Sequence, residues 1–365
     1  ERPWFDTVMG AYLEILKLSW PLALGMVNNA LLQFTDRAFL AQESMASLEA
    51  VLPASMLAYI ALGFFQSVVA YSGTFVAQFH GAGNMDMCRR SYHAGTWIAV
   101  VSGVLMIAAL PLGGLVFETF SNGAEVIARQ KTCYDICTTG GVFLFGQMAA
   151  QAYFTGLGKT RIVLWVNIIG NVLNVALDPI LIFGIPAPSF LTLNSSFLIS
   201  PMGIDGAAWA TVIAMAASFA WAIRYYLKRQ TVVLLRWWRI GFYREFLGRT
   251  TAIGFAPFLQ NLLGAAINVS LAAAFAKWAA DEASATTQIA SLGVFQSVMI
   301  LTIMPVMGAQ QGLQPIFGYN WGARNFRRVK ETLVLGYWVT TALCVLACAV
   351  QVVPPFPQWL AGWFV

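Results

Sequence analysis

The sequence predicts an all-α polytopic membrane protein built of two repeated halves, with six spans in the first and about three in the second. Three observations carry that prediction. The 365 residues are 59% hydrophobic and only 10% charged, with a mean hydropathy of +0.69, whereas a soluble domain carries about 25% charged residues. Apolar runs of about 20 residues or more, long enough to cross a bilayer, lie near 13–40, 48–79, 93–117, 130–156, 160–183, 204–227, 248–276, 286–318 and 332–353. A short glycine-containing motif recurs after the second and eighth of these runs.

Taken in order, the first span holds Pro21 and a polar face of Asn29, Gln33 and Asp36, whose offsets of 0, 4 and 7 fall on one side of a helix. The second ends in Gln78-Phe-His-Gly-Ala-Gly-Asn84, followed by Arg89-Arg90, and leads into the third. The fourth carries Asp135 and Thr138/Thr139 near its start; the bland reading of Asp135 is an interfacial carboxylate in water. The fifth reads WVNIIGNVLNVALDPILIF from Trp165 to Phe183. Its Asn167, Asn171, Asn174 and Asp178, at offsets 0, 4, 7 and 11, fall within about 60° of one another. The sixth opens on Asp205, also read as interfacial, with Thr211 about two turns deeper. The seventh carries Pro257, Gln260, Asn261 and Asn268, with Ala272 where a repeat of Asp36 would stand. The eighth holds Met299, Met304 and Met307, which read as core, and Gln310, Gln311 and Gln314, which read as packing and loop-capping residues.

Three segments lie outside the spans. Residues 228–247, KRQTVVLLRWWRIGFYREFL, interleave cations with Trp, Phe and Leu and predict a basic stretch on an anionic leaflet. The tail PPFPQWLAGWFV predicts an interfacial anchor through Trp359 and Trp363. Asn194-Ser195-Ser196 fits a glycosylation triplet, which is common by chance. The organisation follows: residues 1–230 as a first lobe of six spans, 231–247 as the basic connecting segment, and 248–365 as a partial second lobe of three.

The repeat aligns Gly81-Ala82-x-Asn84 with Gly322-Ala323-x-Asn325, 241 positions later, each followed by a pair of arginines. Pro21 and Pro257 pair at a similar offset. Both members of each pair have the same orientation, so the repeat is parallel, about an axis along the membrane normal, as in membrane transporters. No cleavable signal is evident, and the chain does not open on Met. Six spans before the divider and three after it imply a fragment that would not transport alone.

Charge placement predicts orientation. Arg2, Lys17, Arg89, Arg90, Lys159, Arg161, the cations from Arg224 to Arg249, and Arg324, Arg327, Arg328 and Lys330 fall on one side. The other side has Arg129, Lys131 and Lys277 among Glu43, Glu49, Glu118, Glu125, Asp281 and Glu282. The positive-inside rule then predicts a cytoplasmic N-terminus and an outward C-terminus in a cell (inner) membrane. The net charge of +5 belongs to these loops and is no nucleic-acid footprint.

An embedded carboxylate marks an ion or substrate route; an Asn-rich helix seam is the alternative for the fifth span, but nothing about a seam requires a charge. Asp36 and Asp178 fall at one depth, where crowded carboxylates share a proton or a cation. Asn, Thr and carboxylate oxygens are also hard ligands suited to Na⁺. The amides Asn29, Gln33 and Asn171, with Gln260, Asn261 and Asn268 of the second half, suit either substrate contacts or packing. Two histidines, His80 and His93, supply no metal cluster and no nucleophile–base pair, so an enzyme is not expected. Cys133/Cys137, Cys344/Cys348 and Cys88 read as small apolar packers.

LSWPLALGMVNNALLQFTDRAFL, NVLNVALDPILIFG, GIDGAAWAT and QPIFGYNWGARNFRRVKE together resemble the multidrug and toxic compound extrusion (MATE) family. The resemblance covers nearly the whole chain and is most specific in the Gly-Tyr-Asn-x-Gly-Ala-x-Asn box. It implies two six-helix lobes forming a V that alternates access and exports small organic cations in exchange for H⁺ or Na⁺, without other cofactors, as a monomer among membrane lipids. In members resembling the archaeal and DNA-damage-inducible branches, it implies a cation-coupling site at Asp36, Asn174, Asp178 and Thr211, the first three being metal ligands if the ion is Na⁺. The seventh-helix Glu of another branch is missing, with Gln260 or Ala265 nearby. A lipid-linked oligosaccharide flippase of the same superfamily is the alternative, for which the embedded cations expected around a pyrophosphate are lacking.

Overall fold

A computed structural model of the chain describes residues 3–43, 45–111, 113, 117, 124–186, 197–228, 244–278 and 303–353. Nine long helices dominate them. They are α1 (Pro3–Glu43), α2 (Met45–Gly81), α3 (Met85–Ala108), α4 (Ala124–Gly156), α5 (Thr160–Ile182), α6 (Ile204–Lys228), α7 (Arg244–Trp278), α8 (303–322) and α9 (Phe326–Val352). Segments of α1, α3, α5, α6 and α9 are apolar and long enough to cross a membrane: Ile15–Leu32, Met85–Ala108, Thr160–Ile182, Ile204–Tyr226 and Phe326–Ala349. The protein is a polytopic, all-α membrane protein. Among the described residues the only strands form a short antiparallel ladder, β1 (Ile185–Pro186) with β2 (Phe197–Ile199), which hydropathy does not reveal. The ladder sits beyond α5, where Met202 and Gly203 donate to the Leu181 and Ile182 carbonyls and satisfy that helix end.

The first half is a ring. α1 packs on α5, α5 on α6, α6 on α4, α4 on α2, and α2 returns to α1, with α3 outside against α2 and α4. Lipid supplies no hydrophobic drive between helices, so small residues that admit close approach set these contacts. A methyl on Gly73 of α2 would lie 2.5 Å from the Ala152 carbonyl oxygen of α4, and one on Gly146 of α4 would lie 2.6 Å from the ring of Phe219 in α6. Phe145, Phe154, Tyr153 and Ile182 fill the interior.

The two halves meet at one end, named here the turn end because it carries the loops after α2, α4 and α8. A methyl on Gly308 of α8 would overlap Ala23 of α1, and one on Gly254 of α7 would lie 2.5 Å from Val68 Cα of α2. Gln314 of α8 donates to Thr74 Oγ1 of α2 at 2.7 Å, a bridge between halves where the sequence predicted packing or loop capping. Phe246 is buried against Phe75 and Phe79. Residues 244–247 of the predicted basic connector are therefore the first turn of α7, drawn inward by that aromatic contact; 229–243 lie outside the described residues, as do the glycosylation triplet and the Trp359/Trp363 tail. Farther along α7, Leu262, Leu263 and Ile267 are exposed.

The sequence repeat is a structural repeat in detail. After α2, Asn84 N–H donates to the Phe79 carbonyl and Gly83 N–H to the His80 carbonyl; after α8, Asn325 donates to Asn320 and Arg324 to Trp321, the same pattern 241 residues later. Both are Schellman closures, with Gly83 at φ +69° and Arg324 at φ +56° in the left-handed position. Each Asn then caps the next helix, Asn84 Oδ1 accepting from Met87 N–H and Asn325 Oδ1 from Arg328 N–H, both at 3.1 Å. The same two motifs also touch. A methyl on Gly81 would overlap the Tyr319 backbone and one on Gly322 the Gln78 backbone, and Tyr319 is the repeat counterpart of Gln78. The glycines thus make a two-fold, backbone-to-backbone crossing of α2 and α8.

Gly81→Ala and Gly322→Ala should each lower stability by about 1–3 kcal/mol, the usual cost of overpacking. Gly248→Ala, with open space around it, should be neutral. Thermal unfolding of the three purified variants decides this, and equal melting temperatures would refute the crossing.

Candidate cation site in the first half

At the end opposite the turns, three helices bring four polar side chains together. Asp36 comes from α1, Asn174 and Asp178 from α5, and Thr211 from α6. Asp178 is fully buried, Asn174 is 1% exposed, and Asp36 and Thr211 are half-buried. The predicted four-residue set is therefore assembled in space. Asn174 and Asp178 stand one turn apart and face the same neighbours, and Pro179 leaves the Val175 carbonyl without its helical donor beside them.

Asn174 is the hub. Its surroundings offer acceptors on one side and donors on the other, and the amide is assigned the orientation that satisfies both. Nδ2 donates to Asp36 Oδ1 at 3.0 Å and to Asp178 Oδ2 at 3.2 Å, while the oxygen accepts from Thr211 Oγ1 at 3.2 Å and Thr211 N–H at 3.1 Å. The second oxygen of Asp178, Oδ1, is buried with no hydrogen-bond partner. Two carboxyl groups on one amide, one with an idle oxygen, repel each other strongly in a low-dielectric interior. They call for a compensating positive charge small enough to enter, which is what a proton or a small cation supplies. Among the described residues no cluster of three or more His, Cys, Asp or Glu side chains forms a metal site.

The rest of the α5 stripe continues toward the turn end as a ladder. Asn171 Nδ2 donates to Asn29 Oδ1 of α1 at 3.0 Å, and Gln151 Nε2 of α4 donates to Asn167 Oδ1 at 2.8 Å. Asn29 and Asn171 are thus brought together as predicted cavity residues, with Asn29 exposed. Gln151 was not singled out from sequence; its partner lies 16 residues away on another helix, and no periodicity announces it. Gln260 and Asn261 are exposed on α7 and do not join this cluster. The side chains of Gln33 and Asn268 lie outside the described residues.

The other carboxylates behave differently. Asp135 and Asp205 are half-buried, each with a buried Oδ1 that lacks a partner, so neither is a simple water-exposed group. The thiols read as packers also sit closer to charge than expected: Cys137 lies within electrostatic reach of Asp36, and Cys133 of Asp205.

Asn174→Ala removes the donor to two carboxyl groups and should destabilise the protein by about 1–3 kcal/mol, the cost of stranding buried acceptors. Asn174→Asp, which adds a third carboxyl, should be worse at neutral pH than at low pH. Melting curves across pH test both, and an alanine variant as stable as the parent would remove Asn174 as hub.

Comparison with known proteins agrees with this architecture. The MatE family model matches residues 21–180 and 255–364. The probable multidrug resistance protein NorM of Agrobacterium fabrum is 23% identical over 377 residues, covering 97% of this chain and 74% of the relative. The multidrug export protein MepA of Staphylococcus aureus is 22% identical over 283 residues, covering 76% of this chain and 57% of MepA. Among solved structures, a MOP superfamily transporter from Pyrococcus furiosus superposes with a TM-score of 0.79 at 19% identity, over 95% of this chain and 73% of that one. A MATE structure in a bent conformation superposes at 0.77 and 20% identity, over 96% and 75%. A family match over most of the chain, joined to a parallel repeat and a first half of six packed helices, settles the assignment: the chain belongs to the MatE family.

Proposed function

We propose that the protein serves as an antiporter that exports small organic cations across the inner membrane in exchange for protons, by alternating access, with its N-terminus in the cytoplasm. The observation that carries this reading is the Asp36–Asn174–Asp178 bridge with the idle Asp178 Oδ1. The relatives' names, a multidrug resistance protein and a multidrug export protein, support the substrate class. With Asn174 turning Nδ2 to both carboxyl groups and its oxygen to Thr211, a proton can be taken up with no movement of the amide, whereas Na⁺ would call for its oxygen instead. A proton needs no coordination shell.

The two ends serve different parts of such a cycle. The α2–α8 crossing and the Gln314–Thr74 bond hold the halves together at the turn end, while the exposed face of α7 leaves the opposite end less tied. That arrangement is what an outward-open state requires. α1 links the carboxylate site to the second half, carrying Asp36 and, 13 residues earlier, the mid-helix Ala23 contact with α8.

In proteoliposomes, Asp178→Asn should abolish pH-gradient-driven export of a fluorescent organic cation while leaving its equilibrium binding within a few-fold of the parent. Asp36→Asn should do the same, and the double variant should be little worse than either, because groups acting as one unit are non-additive. Export driven equally well by an Na⁺ gradient at constant pH would replace the proton by Na⁺, and normal export by Asp178→Asn would refute coupling at this site.

Orientation is tested separately. In a background without the native cysteines, Ser44→Cys should react with an impermeant thiol reagent added outside intact cells, and Lys159→Cys should react only after permeabilisation. The reverse pattern would invert the topology.

A further inference from the structure

At the turn end a cavity of ≈ 470 Å³ opens between the halves, away from the carboxylate site. Leu13 and Lys17 of α1, His80 of α2, Gly158 of the α4–α5 turn, and Ile316 and Tyr319 of α8 line it. It therefore touches both halves beside the glycine crossing. Its chemistry is two-sided, with apolar walls and a polar rim whose cation is Lys17. Lys17 and His80 face it, and Lys159 lies close enough to His80 to push the imidazole pKa below its usual value, on top of the effect of burial. Among the described residues no Asp or Glu lines it. Nearby, Arg161 stacks over Trp20 at 5.9 Å, a cation–aromatic pair of the kind that marks headgroup level. The cavity is thus a positive, half-apolar wedge at the depth of the lipid headgroups.

We infer that this cavity binds an anionic phospholipid, its phosphate paired with Lys17 and hydrogen-bonded by the neutral His80 imidazole, an acyl chain lying along the apolar wall, and that the bound lipid clasps the two halves at the turn end. The charge complementarity selects an anion, and the apolar wall selects an amphiphile over a free anion. Because α1, α2, α4 and α8 all border the wedge, a lipid seated there favours the state closed at this end. The inference rests on the orientation proposed above only in expecting the anionic inner leaflet to supply the ligand.

The test is equilibrium binding of a fluorescent phosphatidylglycerol to the purified protein in neutral detergent, without substrate or ion gradient. The expected result is saturable binding that phosphatidylcholine and inorganic phosphate fail to displace. Lys17→Gln should weaken it roughly fivefold, the equivalent of one cation at a membrane surface, and Lys17→Arg should keep it. Arg224→Gln, an exposed cation on α6, should leave it unchanged. Equal loss with Arg224→Gln would mean diffuse electrostatics, equal displacement by phosphatidylcholine would mean apolar filling, and displacement by phosphate would mean a free-anion pocket; each overturns the inference. Asp178→Asn should bind the lipid normally, so a failed coupling site and a failed lipid site are told apart.

Discussion

One amide ties the functional half together. Asn174 sits where three helices converge, donates to two carboxyl groups and accepts from a threonine, and is almost wholly buried. In an apolar surrounding every such group must find a partner within the protein, so α1, α5 and α6 cannot shift independently without stranding one of them. The same constraint makes the site responsive. Changing the charge on Asp36 or Asp178 alters what Asn174 can satisfy, and that change is felt on three helices at once. Asp178 Oδ1, lacking a partner, is the vacancy in an otherwise satisfied network.

The turn end is held by opposite means. Its strongest contacts are backbone on backbone, where Gly81 and Gly322 let α2 and α8 approach without side chains between them. Glycine there costs helix stability, and the return is a two-fold contact made by two copies of one motif. Gln314 and Thr74 add a single hydrogen bond across it. Such an interface is close and short-ranged. A separation of a few tenths of an ångström forfeits much of its dispersion energy, so it suits a contact that either forms fully or opens. The wedge lined by Lys17 and His80 lies beside that contact and borders both halves.

How much of this could be read from the sequence differs by residue. Asp36, Asn174 and Asp178 were legible because each interrupts an apolar run at helical spacing, and the price of a carboxylate in lipid makes such an interruption informative. Thr211 was not legible from spacing at all; a threonine in a membrane helix is ordinary, and only the resemblance to the MATE family singled it out. Gln151, which completes the amide ladder, and Gln314, which bridges the halves, were respectively passed over and read as packing or loop capping. An amide satisfied by its own loop and one satisfied by another helix look the same along a sequence. Gly81 and Gly322 were visible as a repeat, but a repeat says only that two segments are alike, not that they meet.

By itself the sequence determined the class of the protein, the face on which each polar residue lies, and the parallel repeat. Those properties follow from composition and from the 3.6-residue period, which are local. The tertiary structure decided which faces meet: that the α5 stripe faces α1, α4 and α6, that Asn174 rather than Asn171 holds the carboxyl groups, and that the two glycine motifs cross each other. Periodicity fixes a direction about one helix axis. The distances and angles between axes, set by small residues many positions apart, turn those directions into contacts.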